Sequence, residues 1–328
     1  NAEGFTMMQL DVDRLIVWLT DVIEQNNIKL VFIWDEFSDY FRVNRESLAD
    51  FQKLAELVNA KPFFFVPVTH ETDHLFTQVD ETWKKVRDRF IDVGITLPDN
   101  IAFDLIGAAF KPKAAAAQDW AEVEGDLNGR LHESRRRVMD VAGITSEDVI
   151  RNIMPLHPMT ALVLKHIASS FQSNQRSMFD FIKSVGDEQV KAFQYFIDHT
   201  GPYDEHPLLT VDQLWDFFYV RGKADLATHI RMILDTYEQQ KDLREEQQTV
   251  LKAILILLAV DKQLGGSIEL LHATDQNLSY VFEGDDDLGS RAAAIAQSLK
   301  TQGILIQTPR QKGGPTYDLA LLSGDQGK

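Results

Sequence analysis

The run Leu30-Val31-Phe32-Ile33-Trp34 ends in two adjacent carboxylates, Asp35 and Glu36. An apolar stretch this short, rich in β-branched and aromatic types, predicts a strand buried on both faces, as in a parallel sheet. Paired acids at the end of such a strand stand on the carboxyl edge of the sheet, where open α/β folds bind their ligands. The plain alternative is a chain returning to solvent. A second apolar run, Phe63-Phe64-Phe65-Val66-Pro67-Val68, leads into Thr69-His70-Glu71 and places further polar groups at the same edge of a neighbouring strand. His70-Glu71-Thr72-Asp73-His74 also satisfies H-E-x-x-H, in which two His on one helical turn bind zinc and the Glu acts as base. That chemistry requires a helix through the motif. Here a strand-like run containing Pro67 precedes it directly, and no third ligand is evident, so zinc hydrolysis is set aside.

Several elements must position these groups. Helical spacing of Leu10, Val12, Leu15, Ile16, Leu19, Val22 and Ile23 predicts a helix over residues 5–26, with Asn26-Asn27 as its stop. Further helices are expected over 45–59 and 79–91, and a third short strand over Val93-Gly94-Ile95-Thr96-Leu97. The alternation predicts an α/β layered sheet in residues 1–98. After Pro98 the periodicity is helical, over 99–110, 117–140, 145–153, 157–172, 176–198, 210–221, 224–242 and 245–262, with no strand expected before about residue 303. The fold class is therefore α/β followed by mostly α, organised as 1–98, 99–200 and 201–328.

The end has its own pattern. A helix over 288–301, a strand from Gly303 to Thr308, a Lys312-Gly313-Gly314-Pro315 turn and a strand from Thr316 to Leu321 make the ending of a winged helix. Its candidate recognition helix carries only Arg291 and Lys300 and follows Asp285-Asp286-Asp287, so a structural or protein-contacting module is expected rather than a DNA reader. Arg135-Arg136-Arg137 shares a helix with Glu122, Glu124, Asp126 and Glu133 and reads as a solvated face. The Asp285–Asp287 run lacks the spaced ligands of a calcium loop and reads as a helix start.

Composition narrows the class. The chain of 328 residues has no Cys, which excludes disulfides, thiolate zinc sites and a cysteine nucleophile and fits a reducing cytoplasm. It is 44% hydrophobic and 25% charged, an ordinary globular composition. With 50 acidic against 33 basic side chains the net charge is −17, which opposes nonspecific binding to a phosphate backbone. No apolar run has the roughly 20 residues needed to cross a bilayer. Asn1-Ala2 in place of an initiator Met looks like the remainder of a cleaved tag, so an excised fragment is expected.

Met154-Pro155-Leu156-His157-Pro158-Met159-Thr160-Ala161-Leu162-Val163-Leu164, a polar break at Gln172-Ser173-Asn174-Gln175-Arg176, and Phe179-Asp180-Phe181-Ile182 form a recognisable succession. It resembles a segment of large bacterial P-loop ATPases found in phage-defence loci, including the BREX-type ATPases. The resemblance, with the Asp35-Glu36 strand upstream and the winged-helix-like end, covers most of the chain. It implies a partial AAA+ or STAND-like ATPase core, a helical lid over 99–200 and a winged helix, similar in order to origin-recognition ATPases. In that frame Asp35 helps hold Mg²⁺, and Glu36 orients or deprotonates the attacking water. Thr69 resembles sensor 1, and Arg87 or Arg89 resembles an arginine finger; the bland reading of the latter is a solvated run with pairs such as Glu81 and Lys85. Arg176 is the candidate lid arginine, or else a cap or surface residue. ATP and Mg²⁺ are the implied cofactors, and self-association or other defence proteins the implied partners.

One departure outweighs the matches. The sequence contains no G-x-x-x-x-G-K-[ST], and Gly222-Lys223 has Ala next and no glycine loop before it. Without that loop no backbone cradle or lysine meets the phosphates, so ATP is expected to bind poorly or not at all. Either the piece begins downstream of the loop or the loop has been lost, the tag-like start favouring the first. The alternative function is a non-catalytic helical interaction scaffold with a degenerate α/β portion.

Overall fold

Leu15, Ile16, Leu19 and Ile23 recur at helical spacing and form one stripe of α1, Val12–Asn26, whose Leu19 and Ile23 are buried. Asn27 ends the helix in the left-handed region at φ 50°, a conformation that Asn tolerates better than most residues, and the Ile28 N–H returns to the Ile23 carbonyl at 3.2 Å. The computed structural model describes residues 12–35, 37, 48–68, 90, 91, 93, 100–109, 111–170, 178–310 and 314–319. It divides the chain into two compact units, Asn1–Thr96 and Leu97–Lys328.

In the first unit, α1 leads to β1, Leu30–Trp34, then α2, Leu48–Ala60, and β2, Phe63–Pro67. β1 and β2 pair in parallel, Leu30 opposite Phe63 and Trp34 opposite Pro67. A parallel pair cannot be closed by a tight turn, and α2 lies on the crossover between the two strands. Leu19, Ile23, Leu54, Leu57, Phe63 and Phe65 form the core, with Trp34 and Leu30 packed against it. Lys53 meets Asp13 at 2.8 Å, and Lys61 pairs with Glu24.

β1 is not buried on both faces. Val31, Ile33, Phe64 and Val66, which share the second face of the pair, are 56%, 64%, 49% and 43% exposed. The apolar run reads as doubly buried because a parallel sheet normally carries helices on both sides; here α1 and α2 pack with the buried set alone. Of the expected third strand only Val93 is described, and it is exposed and outside any strand. The helix expected over 79–91 lies outside the described residues except for Phe90 and Ile91.

The second unit is helical down to a closing hairpin. Its helices are α3 Ile101–Ala109, α4 Ala117–Gly129, α5 His132–Ala142, α6 Glu147–Arg151, α7 Pro158–Ser170, α8 Met178–Lys183, α9 Phe193–His199, α10 Thr228–Asp235, α11 Glu245–Gln263, α12 Asp275–Val281 and α13 Leu288–Thr301. The hairpin pairs β3, Leu305–Thr308, with β4, Thr316–Leu319, antiparallel. α11 is apolar round its whole girth: Ala253 to Val260 are all buried, as befits a helix surrounded by others. It packs against α7, α10, α13 and the turn of 3₁₀ helix Val211–Leu214. Residues from both 99–200 and 201–328 enter this single core.

Two long helices of the sequence reading are each broken. The 117–140 span is α4 and α5, separated at Arg130-Leu131, and the start of α5 is capped from afar: the Glu283 carboxylate accepts from the Glu133 N–H (2.9 Å) and the Ser134 N–H (2.6 Å). The 176–198 span is α8 and α9, separated by a turn in which Gly186 has φ 72° and the Asp187 carboxylate accepts from the Gln189 and Val190 N–H groups, each at 2.8 Å. A Cβ on Gly186 would fall 2.8 Å from the Ala192 nitrogen, so only glycine fits that turn. Residues 210–221 are a 3₁₀ turn followed by a π-helical stretch, Asp216–Val220, and the 224–242 span holds only α10 with short 3₁₀ turns.

Candidate functional site

The carboxyl edge of β1 and β2 is built by aromatic packing and two backbone bonds beyond the regular ladder. Val68 N–H donates to the Trp34 carbonyl at 2.8 Å, and Phe37 N–H donates to the Val68 carbonyl at 3.0 Å. Trp34 meets Phe37 edge-on with ring centroids 5.5 Å apart, and Phe37 is buried. The chain leaving β1 is thereby held against the end of β2. Asp35 stands in the turn between these two rings and is exposed. An anchor on either side of Asp35 fixes its backbone at the rim.

Asp35 is the one predicted site residue that lies among the described residues. Glu36, Thr69, Arg87, Arg89 and Arg176 lie outside them, as does the His70–His74 motif. Val68, the residue before Thr69, reaches the same edge as Asp35. Mg²⁺ takes oxygen ligands and is usually held by one or two carboxylates together with phosphate and water, and an exposed Asp at the rim of a parallel sheet fits as one such ligand. Among the described residues no group of three or more His, Cys, Asp or Glu side chains is placed to hold a metal by itself. For ATP the donor set does not fit, because the sequence supplies no glycine-lysine cradle for the phosphates.

Comparison with protein-family models, curated proteins and solved structures returned no match. The chemistry of this chain rests on its own residues.

The segment Leu156-His157-Pro158 is a joint of the second unit. His157 is completely buried: its Nδ1 accepts from the Met159 N–H at 3.1 Å, so its Nε2 carries the proton and donates to the Glu283 carbonyl at 3.0 Å. Burial pushes the imidazole down to about 4, which keeps it neutral. Glu283 thus faces two elements at once, its carbonyl at the start of α7 and its carboxylate at the start of α5.

The described basic side chains of the closing helix and hairpin are engaged with acids and amides. Arg291 reaches Asp287 at 2.6 Å and also pairs with Glu246, and Lys300 donates to the Gln307 side chain at 2.7 Å. Arg310 donates to Asp261 at 2.5 Å and lies 2.7 Å from Nε2 of His272, while Tyr317 donates to Asp275 at 2.5 Å. Asp261 and His272 are buried, so this cluster clasps the hairpin region to α11. No sequence spacing marks it, because Arg310 lies 38 and 49 positions from its partners His272 and Asp261 and Asp261 sits within an apolar helix. Asp285 caps the start of α13, its Oδ1 accepting from Asp287 N–H (3.1 Å) and Leu288 N–H (2.8 Å). Arg136 pairs with Glu133 at 2.6 Å on the surface of α5.

Proposed function

We propose that the first unit is the metal-and-water side of a P-loop ATPase core of the AAA+ or STAND-like kind, in which Asp35 holds Mg²⁺ and Glu36 orients the attacking water. One observation carries the reading: β1 and β2 are parallel and in register, so Asp35 leaves the sheet at its carboxyl edge beside the end of β2. When bound, the cation neutralises charge on the transferred phosphoryl group. Asp35 would hold that cation at the rim, and Glu36 would orient or deprotonate the attacking water. Thr69, next after Val68, is assigned to sensing at the same edge. Arg87 or Arg89 is assigned to a subunit boundary, and Arg176 to the helical lid. The helix and hairpin from Leu288 to Leu319 fit a winged helix used for protein contacts, since its described cations, Arg291, Lys300 and Arg310, already have partners. Phage defence, and work on other defence proteins or on further copies of the chain, follow from the Met154–Ile182 resemblance alone.

The test uses Glu36→Gln in the longest natural polypeptide that contains this sequence. Retained nucleotide binding with hydrolysis slowed by about 100-fold or more is expected for loss of a general base. Unaltered hydrolysis rejects the role. The 328-residue chain by itself should show no Mg-ATP binding tighter than about millimolar by isothermal titration, where only about 4 kcal/mol is available. A micromolar constant would place the nucleotide elsewhere. A second reading, a non-catalytic interaction scaffold, is favoured by the bare apolar face of Val31, Ile33, Phe64 and Val66, which suits protein contact whether or not any hydrolysis occurs.

A further inference from the structure

The second unit contains a cleft of about 900 Å³ walled by α3, α4, the end of α6 and α9. That volume lies within the range of small-molecule sites, roughly 300–1,000 Å³. Its apolar lining includes Phe103, Trp120, Met154, Phe193 and Ile197. The first, third and fourth of these are buried members of the main core, so the floor is rigid. Lys111, Lys113 and Arg151 also line it, against Asp104 and Glu124. The cleft therefore carries three cations to two acids in a protein whose net charge is −17.

Arg151 and Glu124 form an unfinished pair. Arg151 Nε lies 3.8 Å from Glu124 Oε1, beyond hydrogen-bond reach, and this Nε is buried without any hydrogen-bond partner. The Nε itself is closed to solvent, but the Arg151 side chain as a whole is 39% exposed, so its charge remains open to an incoming acidic group. Glu124 is largely sheltered, and burial holds its carboxyl above the usual range despite the nearby guanidinium. α6 itself is fixed by Ser146, whose hydroxyl accepts from the Asp148 N–H at 3.3 Å.

We propose that this cleft binds an apolar organic monoanion, its hydrophobic body on Phe103, Trp120, Met154 and Phe193 and its acidic head at Arg151, with Lys111 and Lys113 drawing it in. The inference is independent of the ATPase reading, since every residue it uses lies in the second unit.

The probes are 1-anilinonaphthalene-8-sulfonate and its uncharged congener N-phenyl-1-naphthylamine, titrated by fluorescence against the intact chain. The sulfonate should bind one site per chain at least fivefold tighter than the neutral compound. Arg151→Gln should weaken the sulfonate at least fivefold, and Glu124→Gln should tighten it severalfold, while neither moves the neutral probe. Opposite responses to two neutralising changes 3.8 Å apart are not produced by loosened packing. Ala108→Trp, which fills the cleft, should remove both signals; if that variant does not fold, Ile197→Trp on α9 plugs the same space. Equal binding of the two probes, or an Arg151→Gln protein with unchanged sulfonate affinity, overturns the proposal. So does binding that survives the plug and is lost with Ile33→Ser, because the dye would then sit on the bare sheet face.

Discussion

β1 carries Val31, Phe32 and Ile33 in succession, and α11 carries Ala253 through Val260. Val31 and Ile33 in the strand are more than half exposed, whereas every one of those eight helical residues is buried. The runs are alike in composition. What separates them among the described elements is how many pack round each: α1 and α2 join the core on one side of the β1–β2 pair, while α7, α10, α13 and the 3₁₀ turn at Val211–Leu214 enclose α11. Apolar content states how much surface a segment would gain by burial, and only neighbouring elements decide how much of that gain is realised.

The comparison can be broken most directly by paired truncations. Leu255→Ala in α11 should cost about 3–5 kcal/mol, since it removes a fully buried side chain from a packed helix. Ile33→Ala in β1 should change no unfolding transition by more than about 0.5 kcal/mol. Urea denaturation measures both, and equal losses at the two positions would show that the sheet face is covered in solution.

Acid titration sharpens the contrast, because the second unit holds a neutral buried His and the described part of the first holds none. His157 has a folded pKa of about 4 against an ordinary value of about 6.5. The unfolded chain binds that proton first, so stability is full above about pH 6.5 and falls as pH drops toward 4, by on the order of 3 kcal/mol. Asp212 works the other way: burial raises its carboxyl to about 6, so the folded state binds the proton first and gains stability as pH falls from about 6 toward 4. Asp212→Asn should therefore steepen the acid loss measured by urea midpoints across this window, and His157→Gln should flatten or invert it. An unchanged slope in His157→Gln would mean that the imidazole is not the group responsible.

Smaller again is the clasp on α11. Arg310→Gln leaves the Asp261 carboxylate buried without its cation and should cost about 2 kcal/mol, below the roughly 3–5 kcal/mol of a wholly buried pair because Arg310 is one-third exposed. Thermal unfolding checks it, and Arg310→Lys should recover only part of the loss because an ammonium cannot reach Asp261 and His272 in the same forked geometry. The smallest expected effect is at Arg136, where loss of the exposed pair with Glu133 should change the unfolding midpoint by an amount within experimental scatter.

Legibility differed from element to element for physical reasons. α1, α2, α11 and α13 were visible as apolar positions at helical spacing, and β1 and β2 as short runs of β-branched and aromatic residues, because those signals are local. The break at Gly186 is equally local, with Gly186-Asp187 in the sequence to announce it. The break at Arg130 was not legible, since what starts α5 afresh is a carboxylate 150 positions away in Glu283. At the candidate site, Asp35 and its position after β1 were readable. The Arg151–Glu124 cleft was not, since its parts come from α3, α4, α6 and α9 and no spacing links them.

The sequence by itself determined the order α1, β1, α2, β2 and the closing α13, β3, β4, the acids that follow β1, the lack of a phosphate loop and the acidic balance of charge, because each is a matter of residue type and near-neighbour spacing. The tertiary structure alone decided which apolar face stays bare, which helix is enclosed, where Glu283 delivers its two caps and which charges meet across the cleft. Those outcomes depend on through-space contacts between segments far apart in the chain, whose free energies appear only once the backbone has brought them together.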